Sequence, residues 1–249
     1  MTGVRFLLGI LLLAFQCCFA YERPADVPQE DWETLAPYFL PDDHPIKAKL
    51  DKIFGSRSVT KSSKAVYRAG FFQAKPREYT KIIVTTHMSI LGYVVKFYLD
   101  TAEGVNPVQN FKERVIGSIA VKQCIKQNNL GHLLKCPNKW VYPIPTFSDS
   151  GPNPQHFILV AEDMRPLENS KSLDKWQKKV KKSQLDAVYM VLSTVGLPDC
   201  VYAFNIPFCT DGKLAFLDTE LCGLWPVPYR RMEKFLRGDM LEYWIQLTR

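Results

Sequence analysis

GLPDCVYAFNIPFCTDGKLAFLDTE, residues 196–220, is the stretch on which the reading of this chain turns. Two short apolar runs, Ile206-Pro207-Phe208 and Leu214-Ala215-Phe216-Leu217, flank Thr210-Asp211-Gly212-Lys213. Asp-Gly between apolar runs predicts a hairpin with a type I′ turn, because that turn needs positive φ and Gly adopts it without steric penalty. Asn205 precedes the first run and Asp218 ends the second. Closing the hairpin brings those two ends together, so an amide oxygen and a carboxylate converge on one spot. Hard oxygen ligands of this kind suit a divalent cation. The same residues also suit an ordinary hairpin with a polar open end.

Around this stretch the composition is that of a folded chain. With 249 residues, 47% of them hydrophobic and 12% aromatic, it can bury a substantial core, which excludes the disordered class. The net charge of +7 permits an anionic partner such as a nucleotide, a membrane surface or nucleic acid. No specific nucleic-acid motif, zinc-type cysteine spacing or internal repeat is present. At the N-terminus Arg5 precedes the apolar run FLLGILLLAF, residues 6–15, and Cys18-Phe19-Ala20 places small residues at the −3 and −1 positions of a cleavage site. This is the layout of a signal peptide cleaved after Ala20, and the run is too short to span a bilayer. Gln16 before Cys17 argues against a lipoprotein site. An exported, soluble mature protein is expected, carrying Cys124, Cys136, Cys200, Cys209 and Cys222. In an oxidising compartment some of these pair, Cys124 with Cys136 being the favoured guess, or they serve as small buried hydrophobes.

Taken in order, residues 21–64 read as an extended leader with a helical turn near residues 29–35 and a helix over 46–54 stopped by Gly55. Residues 65–72, 81–87 and 92–100 read as strands, the last two rich in β-branched residues. Residues 111–127 read as an amphipathic helix, with Val115, Ile116, Ile119, Ala120 and Ile125 on its apolar face. Two further strands are expected at 140–145 and 155–163. Residues 172–195 read as one long helix, and 228–248 as a terminal one. The pattern is an α+β chain of two lobes: a β-rich region with one helix at 65–163, then a reduced helical region at 164–249 that carries the hairpin.

This order of elements resembles the protein kinase-like fold, in a compact, atypical or pseudokinase-like form. Tyr93-Val94-Val95-Lys96 looks like the V-A-I-K strand, whose Lys holds the nucleotide's phosphates. Glu113 in the next helix stands where that Lys finds its ion-pair partner. Residues 157–164, FILVAEDM, look like the last small-lobe strand running into the hinge where adenine sits. Asn205 and Asp218 stand where the catalytic-loop Asn and the D-F-G Asp hold Mg²⁺. The resemblance therefore implies binding of ATP and Mg²⁺ through Lys96, Glu113, Asn205 and Asp218, with Asp199 as the nearest counterpart of the catalytic base.

The departures are equally specific. No G-x-G-x-x-G loop or H-R-D is present, and Asp199 and Asn205 are separated by five residues where the family has four. Asp218-Thr219-Glu220 replaces D-F-G, and residues 221–249 hold no A-P-E. A degenerate phosphotransferase and a pseudokinase both stay open. So does a non-enzymatic binding protein, because basic residues crowd Lys175–Lys182 and Arg230–Arg237, either as solvated helix faces or as a patch for a protein partner or an anionic surface. A distant third reading is an exported serine acyl-enzyme. Ser58-Val59-Thr60-Lys61 fits S-x-x-K and Ser148-Asp149-Ser150 loosely resembles S-D-N, but K-T-G is missing.

Overall fold

A four-stranded antiparallel sheet with packed elements on both faces positions the rest of the molecule. The computed structural model describes residues 21–73 and 76–249, so the export signal expected at 1–20 lies outside the described residues. In chain order the elements are α1 (Gln29–Leu35), α2 (Lys47–Phe54), α3 (Ser63–Arg68), β1 (Ile83–Thr85), β2 (Tyr93–Phe97), α4 (Pro107–Gln127) and β3 (Leu134–Lys135). They continue with β4 (Lys139–Pro143), β5 (Phe157–Glu162), α5 (Asn169–Lys178), α6 (Lys182–Val195), β6 (Leu214–Ala215) and α7 (Gly238–Leu247). The chain is mixed α+β, as its periodicities indicate.

The sheet order is β1-β2-β5-β4, and β3 pairs with β6 in a separate parallel ladder. Because strand side chains alternate, the sheet buries two different sets. Val95, Phe97, Ile158, Val160 and Tyr142 pack with Leu50 and Phe54 of α2. Val141, Phe157 and Leu159 pack on the other face with Leu35 of α1 and Phe111 and Val115 of α4. A third cluster fills the space between α4, α5, α6, the 206–216 hairpin and α7, centred on the fully buried Trp176 and Trp244. Trp176 also donates its indole N–H to Ile206 O at 3.0 Å, which fixes α5 against the hairpin. Among the described residues no helix is long and apolar enough to cross a membrane.

Several local readings differ from what forms. Residues 63–68 are helical rather than a strand: Ser62 caps the helix by accepting the Ala65 N–H at 3.2 Å, and only Val66 is buried. The leader forms its helices near the expected places, but it packs onto the sheet. Its Leu40 N–H bonds Val141 O at 2.8 Å, so residues 39–40 run along the edge of β4. The long helix expected over 172–195 is two. Lys181 takes an extended backbone as the N-cap of α6, and the Gln184 side chain accepts its N–H at 3.1 Å, which turns the chain and lets Val180 point inward. The terminal helix is likewise divided, into a 3₁₀ segment Tyr229–Phe235 and α7, where Leu236 and Arg237 are extended. On α4, Ile119 is exposed, and Gly117 and Ser118 occupy the buried face. All five described cysteines are unpaired, so the Cys124–Cys136 bridge is not formed.

Candidate functional site

Strand register builds the site. Lys96 of β2 lies opposite Val84 of β1 and Leu159 of β5, on the face that α4 covers. Lys139 of β4 lies opposite Ala161, which itself lies opposite Val94, so Lys139 shares that face. The hairpin closes as expected at its open end: Leu217 N–H bonds Asn205 O at 3.0 Å, which sets Asp218 beside Asn205. The turn is not type I′. Cys209 pairs with Lys213 (N···O 2.8 Å), Gly212 alone takes positive φ at 81°, and Asp211 does not. Three loop residues with Gly in the left-handed position give the same strand reversal.

Between the sheet and the hairpin lies a cleft of about 560 Å³. Val84, Val94, Ala161 and Leu217 supply apolar walls, and Met164 and Leu167 of the connector supply one end. Lys96, Arg77, Asn205 and Asp218 supply a polar end. The connector is fastened to the hairpin by Leu167 N–H to Phe208 O at 2.8 Å, and Lys135 donates to both Met164 O and Asp211.

Charge at the polar end is concentrated around one carboxylate. Burial alone pushes Asp218 up, but Lys96, Arg114, Lys139 and Arg77 outweigh it and hold Asp218 well below the usual carboxylate range. Arg114 of α4, itself buried, donates to Asp218 through one guanidinium nitrogen and to Glu220 through the other. Lys139 donates to Leu217 O at 3.1 Å and to the Thr219 hydroxyl at 2.7 Å, on either side of Asp218. The Thr219 hydroxyl in turn donates to Arg114 O at 2.7 Å. Desolvation lowers Lys96 to about 7 despite Asp218, with Arg114, Lys139 and Arg77 adding to the drop. Glu220 is raised by burial and by Asp218, against the pull of Arg114.

The five expected site residues therefore separate into groups. Lys96, Asn205 and Asp218 meet at one cleft. Glu113 does not join them: it accepts from Gln109 one turn back along α4, and makes no ion pair with Lys96. One residue's rotation along the helix puts Arg114 toward the site instead. Asp199 is absent from the cleft lining, and its backbone oxygen accepts the Asn205 amide N–H at 2.6 Å. Ser58 is buried, donates its hydroxyl to Asp100 at 3.0 Å and gives its N–H to Asp149, so the Ser58 hydroxyl is held by Asp100 and not by Lys61. In the basic stretches Lys175 and Lys182 stack over Phe208 and Tyr243, and Arg231 and Lys234 over Tyr202.

Arg114, Lys139 and Arg77 were not singled out by sequence. A cation on the buried stripe of α4 and one at an inward position of an alternating strand were the available signals. One glycine makes their arrangement possible. A Cβ at Gly117 would lie 1.9 Å from Thr219 O, so only glycine lets α4 approach this segment. Gly117→Ala gains helix propensity but must push α4 off Thr219, and should lower stability by about 3 kcal/mol, read from the urea midpoint.

No protein-family model, curated protein or solved structure matches this chain.

Proposed function

We propose that the chain is a kinase-like protein whose cleft binds a nucleotide without transferring its phosphate. The observation that carries this is Lys96 facing Asp218 and Asn205 across a cleft with apolar walls at its other end. A planar base fits between Val84, Val94, Ala161 and Leu217, and the phosphates fall toward Lys96 and Arg77. The residues of the connector, FILVAEDM, supply the rim on the base side. Asp199, the nearest base by sequence, is not part of the cleft lining, and phosphoryl transfer needs a carboxylate within hydrogen-bond reach of the nucleophile. Binding is therefore the function, and transfer is not. Asn205 and Asp218 do not suit the Mg²⁺ that the kinase resemblance implies, because four cations, Lys96, Arg114, Lys139 and Arg77, already surround Asp218, Arg114 holds one of its oxygens, and the Asn205 amide is fixed on Asp199 O.

A thermal shift with ATP tests the reading. At about a hundred times Kd, binding adds about 2.7 kcal/mol, which raises Tm by several degrees in a chain of this size. Lys96→Met should abolish the shift. If ATP, ADP and GTP at millimolar concentration all leave the wild-type Tm unchanged, the reading is wrong.

A second reading, a surface for a protein partner or an anionic membrane, is favoured by one contact. Helix α5 packs against the 3₁₀ segment Tyr229–Phe235, so the two basic stretches are neighbours in the fold.

A further inference from the structure

We infer that the cleft holds its phosphate ligand with side-chain cations alone, Arg114 and Lys139 supplying from behind Asp218 the positive charge that a divalent metal would otherwise bring. The inference rests on the nucleotide reading above and adds to it how the phosphates are held.

Three observations on this chain lead there. First, one oxygen of the carboxylate that a metal would need is already taken by a buried guanidinium. Arg114 donates to Asp218 and Glu220 together, and its side chain is 5% exposed, so this is a fixed pair in the interior and not a passing surface contact. Second, the segment that carries Asp218 is tied to the Arg114 backbone and to Lys139. Thr219 donates to the Arg114 carbonyl while accepting from Lys139, and Lys139 also holds Leu217 O, so both neighbours of Asp218 are pinned by the same network. Third, the cations that line the cleft are free of ion pairs: neither Lys96 nor Arg77 forms one among the described residues, and both sit where phosphate oxygens would arrive.

A divalent cation entering here would become a fifth positive group around Asp218, beside Lys96, Arg114, Lys139 and Arg77. Like charges so placed repel, and the repulsion is strong where water is excluded. Among the described residues no set of three His, Cys, Asp or Glu could hold a metal. An anionic phosphate meets the opposite field. Asp218 then has a structural task, to anchor Arg114, and its own negative charge opposes the ligand.

That sign gives the test. ATP binding to the full mature chain is measured by isothermal titration in EDTA and again in excess Mg²⁺. Affinity in EDTA within threefold of that in Mg²⁺, or tighter, is the expected result; a loss of more than threefold in EDTA overturns the inference while leaving the nucleotide reading intact. No ATP binding under either condition overturns both. Asp218→Asn, close in shape and still a partner for Arg114, should bind ATP in EDTA at least as tightly as wild type. Weaker binding by a folded Asp218→Asn protein would mean that the carboxylate serves the ligand, and would overturn the inference independently.

Discussion

Arg114→Leu should lower the unfolding free energy by about 3–5 kcal/mol, the range seen when one partner of a buried ion pair is removed. Asp218 and Glu220 are 27% and 22% exposed and face Arg114 together, so the leucine leaves two adjacent carboxylates without their shared counter-ion. Lys96 and Lys139 still act on Asp218, which favours the lower end of the range. The pH dependence follows from sign. Asp218 is depressed in the folded state, so its contribution is fully present above the unfolded carboxylate value near 3.9 and is lost as pH falls through the lower folded value. The difference between wild type and variant should therefore be largest at neutral pH and shrink on acidification. Urea unfolding at pH 7 and near pH 2, below the unfolded carboxylate value of about 3.9, reads both; a loss below about 1 kcal/mol at pH 7 would show the pair to be dispensable.

The second large effect concerns ligand affinity. Lys96 lies near 7 in the free protein because burial outweighs Asp218, with Arg114, Lys139 and Arg77 facing it as well. A phosphate ligand selects the ammonium form. Below pH 7 that form is already present; above it each pH unit costs up to tenfold, until the raised value of the complex is reached. ATP affinity should fall by about 20-fold between pH 6.5 and 8.5, with proton uptake on binding. Lys96→Arg keeps its charge throughout this range, so its profile should lose that fall and report only the titration of ATP itself. Matching profiles for wild type and Lys96→Arg would remove Lys96 from phosphate binding. Without ligand the direction reverses. Folded Lys96 carries fewer protons than unfolded Lys96 between pH 7 and about 10.4, so this residue's part in stability rises across that window.

Much of the framework was legible because it rests on period. Residues 83–85, 93–97, 139–143 and 157–162 are strands close to where alternation and β-branching put them, and α2 and α4 follow their apolar stripes. The hairpin ends converge because Asp-Gly allows the reversal, even though the turn type differs. What failed was local and tertiary. Val66 and Phe71 are apolar in both a strand and a short helix, and the Ser62 cap decides between them. The break at Lys179–Lys181 carries neither Gly nor Pro, so nothing in the local sequence marks a stop there, whereas Gly238 directly after Leu236–Arg237 was an available signal. In the candidate site, the meeting of Asn205 and Asp218 was readable from the hairpin, and Lys96 from the resemblance of its strand to the kinase pattern. Arg114 was hidden one position from Glu113, because the facing rotation of α4 is fixed by Gly117 against Thr219, a contact about a hundred residues apart in the chain.

The strip of chain along β4 has a consequence for self-association. An open strand edge offers unpaired N–H and C=O groups to any other strand, including one from a second copy. Here Phe39 and Leu40 already occupy that position, held by the Leu40–Val141 hydrogen bond and by burial of both side chains. A fragment begun at residue 65 would uncover that edge and remove Leu35, Leu40, Leu50 and Phe54 from the sheet's two faces. The N-terminal segment thus covers both the open edge of the sheet and part of its two faces.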